Sequence, residues 1–116
     1  MLRTVGKMKL INYGDTDWLI GDDAADLLLE YSVLLAKHGT ADSVSMAVLT
    51  AVGEPQSVSL LIGPATMMTA RPLVSALAEP DNAVAIDDVR ERIAAIVSPP
   101  PVLPTEPSET LGEYDL

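Results

Sequence analysis

The sequence predicts an α+β domain: a small two-layer sandwich built on an antiparallel sheet, in the order β-β-α-β-β-(β)-α, followed by a Pro-rich acidic C-terminal tail. Three observations carry this. Two stretches repeat apolar side chains at helical spacing, two alternate them at period two around a four-residue turn, and a Gly-Asp-Thr turn joins two short apolar runs near the start. With 116 residues the chain has the length of one domain.

Residues 1–7 read as a flexible leader, with Met8 as an alternative start. Met8 to Tyr13 reads as a strand. Gly14-Asp15-Thr16 supplies turn chemistry, and Asp17 to Ile20 is the returning strand of a hairpin. Asp22 to His38 follows with Ala24, Leu27, Leu28, Tyr31, Leu34 and Leu35 on one helical face, while Leu29, Val33 and Ala36 widen that stripe. Asp22 or Asp23 is the expected N-cap, Lys37 and His38 suit the negative end of the dipole, and Gly39 is the expected left-handed stop.

Ser43 to Val52 alternates, with Val44, Met46 and Val48 on one face. After Gly53-Glu54-Pro55-Gln56, the run from Ser57 to Ile62 repeats the pattern with Val58, Leu60 and Ile62. The pairing of these two segments predicts a hairpin with one buried and one serine-bearing face. Thr66 to Ala70 reads as a further edge strand ending at Arg71-Pro72, and residues 73–80 as irregular. Asp81 or Asn82 is expected to cap a second helix to about Val97, with Ile86, Val89, Ile93 and Ile96 facing inward. Ser98-Pro99-Pro100-Pro101 stops it. The domain is thus read as residues 8–98 and the tail as 99–116, Pro-rich, acidic and without a basic residue.

Composition narrows the chemistry. Seven basic against 17 acidic residues give a formal charge of −10, which argues against a nucleic-acid partner, because Lys and Arg supply most of the affinity for phosphate backbones. Cysteine is absent, so neither a disulfide framework nor a thiolate nucleophile is available. No apolar run reaches membrane-spanning length and residues 1–10 have no apolar signal core, so the cytoplasm is the expected compartment.

Asp15, Asp17, Asp22 and Asp23 form the densest run of carboxylates, extended by Asp26. A calcium loop counted from Asp15 would need an oxygen ligand at position five, glycine at six and glutamate at twelve, where Leu19, Ile20 and Asp26 stand; a turn followed by a helix cap accounts for these aspartates without an ion. His38 is the sole histidine and suits a helix end better than a zinc or acid–base site. Ser43, Ser45, Ser57 and Ser59 fall at strand spacing rather than in a nucleophile elbow, and the isolated glycines form no phosphate loop. Pro101-Val102-Leu103-Pro104 matches the loose P-x-x-P pattern, without a flanking basic residue.

These readings favour a small non-catalytic accessory protein that binds a protein partner or itself, with no cofactor and no metal. Trp18, Met67, Met68, Asp15, Asp17, Asp22 and Asp23 are the expected contact residues, and a homodimer through the sheet face or its edge is one expected mode. One alternative is an acidic inhibitor of the immunity-protein or antitoxin type, which needs those carboxylates in one patch. The other is a small-ligand or enzymatic domain with a deep pocket near His38 or Trp18.

Overall fold

The computed structural model describes residues 6–98. Residues 1–5 of the expected leader and the tail from Pro99, with its P-x-x-P motif, lie outside the described residues. The described chain runs β1 (Gly6–Tyr13), β2 (Thr16–Gly21), α1 (Asp22–Lys37), β3 (Asp42–Leu49), β4 (Pro55–Ile62), β5 (Met68–Ser75) and α2 (Ala83–Val97). The five strands form one sheet in the order β4-β3-β2-β1-β5, antiparallel throughout. The fold is α+β, as the patterning predicts.

Several boundaries differ from the sequence reading. β1 starts at Gly6 rather than Met8, because Gly6 and Lys7 pair with Ser75 and Val74. β4 starts at Pro55, since the turn is closed earlier by Thr50, which donates to the Glu54 carbonyl at 2.8 Å and accepts from Gly53. β5 runs through Arg71-Pro72 to Ser75 and excludes Thr66 and Met67. A proline in a strand is expected to interrupt it, but β5 is an edge strand, where a missing donor is tolerated.

The start of α1 departs from the expected cap, whereas its end keeps the expected Gly39 stop. Gly21 occupies the N-cap of α1, and Asp22 and Asp23 sit inside its first turn, where their charge still favours the dipole. At the other end Gly39 adopts φ +65°, with Thr40 N–H bonded to Leu35 and Gly39 N–H to Ala36. This is the Schellman pattern, and it needs a residue without a Cβ penalty.

The main core lies between α1, α2 and one sheet face. Ile11, Ile20, Val44, Met46, Val48, Leu60 and Ile62 from the strands meet Ala24, Ala25, Leu28, Tyr31 and Leu35 of α1 and Val89 and Ile93 of α2. A second, smaller cluster lies outside what the patterning predicts. Met8, Leu19 and Leu49, with Leu10 beside them, are buried on the opposite face. The segment after β5 crosses there: the Glu79 carboxylate lies over Gly21 and Leu77 over Gly53. The β3–β4 half of that face is open, showing Ser43, Ser45, Ser57, Ser59 and Leu61.

The sheet is curled rather than flat. Five residues, 63–67, join its two edge strands, which in a flat sheet would stand about 19 Å apart, close to the full reach of that link. The link is instead folded on itself, with Thr66 N–H on the Gly63 carbonyl and Gly63 N–H on Thr66 Oγ1. The edges must therefore approach at this end. Tyr13 of β1 shows that they do, since its hydroxyl donates to the Leu61 carbonyl of β4.

Candidate functional site: the β3–β4 hairpin and its free edge

β2 and β3 touch through a single bridge, Leu19 with Leu49. Beyond it they diverge, and the inner edge of β3 would be left with unpaired main-chain groups. α2 fills that gap. Asn82, only 7% exposed, donates its side-chain amide to the Ala47 carbonyl and accepts the Ala47 N–H, both at 2.8 Å, so one side chain imitates a neighbouring strand. Its side chain is thereby unavailable as the cap expected of it, and Asp81 accepts the Ala83 N–H instead, at 3.1 Å.

Further along α2, Arg92 donates to the Ser43 carbonyl at 2.9 Å. Ten helical residues span about 15 Å and four strand residues about 13 Å, so α2 can lie along β3 and meet it at both points. Arg92 also pairs with Asp42 at 2.8 Å and Asp88 at 2.7 Å, and the Tyr31 hydroxyl donates to Asp42 from α1. Hydrogen bonding from Tyr31, aided by Ser43 N–H and Arg92, holds the Asp42 carboxyl below the usual carboxylate range, although partial burial works against it. Burial and the Asp42 charge push the Tyr31 phenol up. The hairpin is thus fastened to both helices at its base.

The same contacts fix which groups β4 leaves free. Backbone groups of alternate strand residues face alternate neighbours. Ala47 and Ser43 face α2, so Val44, Met46 and Val48 bond across to Leu60, Val58 and Gln56. Ser57, Ser59 and Leu61 therefore point their N–H and C=O groups to the outer edge. The Leu61 carbonyl is taken by Tyr13, and Pro55 has no N–H. Among the described residues, nothing takes the main-chain N–H or C=O of Ser57 and Ser59.

Chemically this edge is plain. From Ser43 to Ala70 the only charged side chain is Glu54, in a chain whose formal charge is −10. Ser45 and Ser59 hydroxyls bond each other at 3.0 Å on the open face, and Leu61 stands 63% exposed beside them. No residue in the interior of β4 carries a charge or interrupts the strand, the devices that usually discourage edge pairing.

The residues singled out from the sequence fall elsewhere. Trp18 is half-buried, packed on the main core with Tyr13 at a ring separation of 6.2 Å. Met68 also packs on that core, whereas Met67 lies in the link before β5, 82% exposed. The aspartates do not form one patch. Asp15 and Asp17 lie at the β1–β2 turn, Asp17 accepting from Asn12 at 2.7 Å, while Asp22, Asp23 and Asp26 lie about 17 Å away at the far end of β2. There Lys9 bridges Asp22 and Asp26 and is itself held above its ordinary pKa by hydrogen bonds to Asp26 and then Asp22. A strand of fixed length separates what the sequence places close together.

Among the described residues no three His, Asp or Glu side chains are grouped to hold a metal ion, and no helix is long and apolar enough to cross a membrane. The main surface depressions are lined by neither His38 nor Trp18. His38 Nδ1 lies 2.9 Å from the Leu34 carbonyl, at the helix end. The chain matches no protein-family model, no curated protein and no solved structure.

Proposed function

We propose that this chain is a small accessory module, acting in the cytoplasm, that works by contact rather than catalysis and takes up an extended protein segment along β4. The observation that carries the reading is the pair Ser57 and Ser59, which offer complete main-chain donor–acceptor sets on an uncharged outer edge. Strand addition of this kind draws affinity from main-chain hydrogen bonds and selectivity from the flanking side chains. Here those are the open serines and Leu61. Asn82, Arg92 and Asp42 serve it indirectly, by holding the hairpin as a rigid rail.

The test is capture from native extract with the wild-type chain and with a Ser57→Pro/Ser59→Pro variant. Both prolines remove outward N–H groups and leave the β3–β4 bonds intact. Material retained by the wild type is expected to be lost with the variant. Equal retention by both refutes the β4 reading.

A further inference from the structure

Resting on that reading, we propose that the segment received by β4 is β4 of a second copy, laid antiparallel with the twofold axis between the two Val58 residues. The register follows from the groups that are free. Among the described residues, the outer edge of β4 presents both N–H and C=O only at Ser57 and Ser59, because Pro55 lacks the donor and Tyr13 occupies the Leu61 carbonyl. A second copy satisfies both residues at once when Ser57 of each faces Ser59 of the other. The set is self-complementary, which is what a twofold interface requires.

Charge and packing fit the same arrangement. Two chains of −10 repel wherever their acidic surfaces meet, and from Ser43 to Ala70 the described chain carries a single acid, Glu54. In this register Glu54 faces Ile62 of the other copy, and the two Glu54 residues stand about 27 Å apart along the strands, well beyond the roughly 8 Å screening length at physiological salt. Leu61 faces Pro55 of the second copy on both sides of the axis. The side chain that is 63% exposed in one chain gains an apolar partner. Two five-stranded sheets become one of ten.

The experiment is the concentration-dependent mass, by sedimentation or light scattering, of the full chain and two double variants, each checked for unchanged far-UV circular dichroism. All four substitutions fall on exposed serines. The wild type is expected to dimerise. Ser57→Lys/Ser59→Lys sets like charges directly opposite and is expected to weaken the dimer at least tenfold, although it lowers the net acidity and so favours association in general. Ser57→Lys/Ser59→Glu sets opposite charges across the axis and is expected to restore it. A wild type that is still monomeric at about 1 mM overturns the inference, as does a dimer that the double lysine variant leaves intact. A monomeric wild type whose captured material is nevertheless lost with the proline variant defeats the self-pairing and leaves the β4 reading standing.

Discussion

β5 and β4 both end the sheet, yet they treat their outer edges differently. β5 carries Arg71 and Pro72 in mid-strand, a charge and a missing donor that make a poor template for another chain. β4 carries neither in its interior, only Gln56, serines and aliphatics after its first proline. A third edge, the inner side of β3, is covered by Asn82 and Arg92. One sheet thus has an edge blunted by composition, an edge shielded by a helix, and an edge left plain. The difference teaches where to look for contact: not the strand with the exposed methionine beside it, but the one with no defence.

The largest effect is expected at the shielded edge. Asn82→Leu leaves the Ala47 N–H and carbonyl without their partners in a part-buried site, and thermal or denaturant unfolding should show a loss of about 2–4 kcal/mol. Asn82→Asp keeps the acceptor but turns a second oxygen toward the Ala47 carbonyl. It should be no better, and a stable Asp variant would mean that the amide does not bridge β3 as described.

Next is the fastening of the hairpin base. Asp42→Asn weakens the links to Tyr31 and Arg92 and should lower stability by about 1–2 kcal/mol at neutral pH. The sign of the pH effect follows from the depressed carboxyl: the unfolded chain binds the proton more readily, so the contribution of Asp42 is present above the ordinary value near 4 and fades as pH falls through the lower native one. Stability measured from about pH 5 to pH 2 should fall less steeply in Asp42→Asn than in the wild type. Parallel curves would show that this carboxylate is not preferentially ionised in the folded chain.

Removing the defence of β5 sharpens the contrast between the two edges. Arg71→Thr/Pro72→Thr should create a second sticky edge, seen by light scattering as species larger than those of the wild type, with stability changed by under about 1 kcal/mol. If the wild-type assembly is unaltered, Arg71 and Pro72 are not what keeps β5 unpaired. The smallest effect belongs to Met67→Ser, a change at an 82% exposed side chain outside any strand. Stability should move by no more than about 0.5 kcal/mol, and association not at all.

The sequence shows the strands and helices because each announces itself locally. The α1 stripe from Ala24 to Leu35 and the alternation of Val44, Met46 and Val48 depend only on residues a few places apart. Gly39 is legible for the same reason. What the sequence hides is long-range. Asn82 reads as a cap because asparagine before a helix usually is one, and nothing nearby reveals that Ala47, 35 residues earlier, needs its amide more. Met8, Leu19 and Leu49 read as ordinary strand positions, since the chain that covers them arrives only after β5. The acidic run from Asp15 to Asp26 reads as one surface because sequence distance conceals the length of β2. The candidate site was half visible. Ser57 and Ser59 stood out as an open face, but that they own the free edge depends on where α2 lies and on Tyr13 reaching Leu61.

Amide hydrogen exchange followed residue by residue against protein concentration tests most directly the claim that β4 is the working edge. Ser57 and Ser59 amides should exchange freely in dilute solution and become protected together as concentration rises, while the β5 amides hold constant. Protection that ignores concentration at both serines, or that appears along β5 instead, would contradict it.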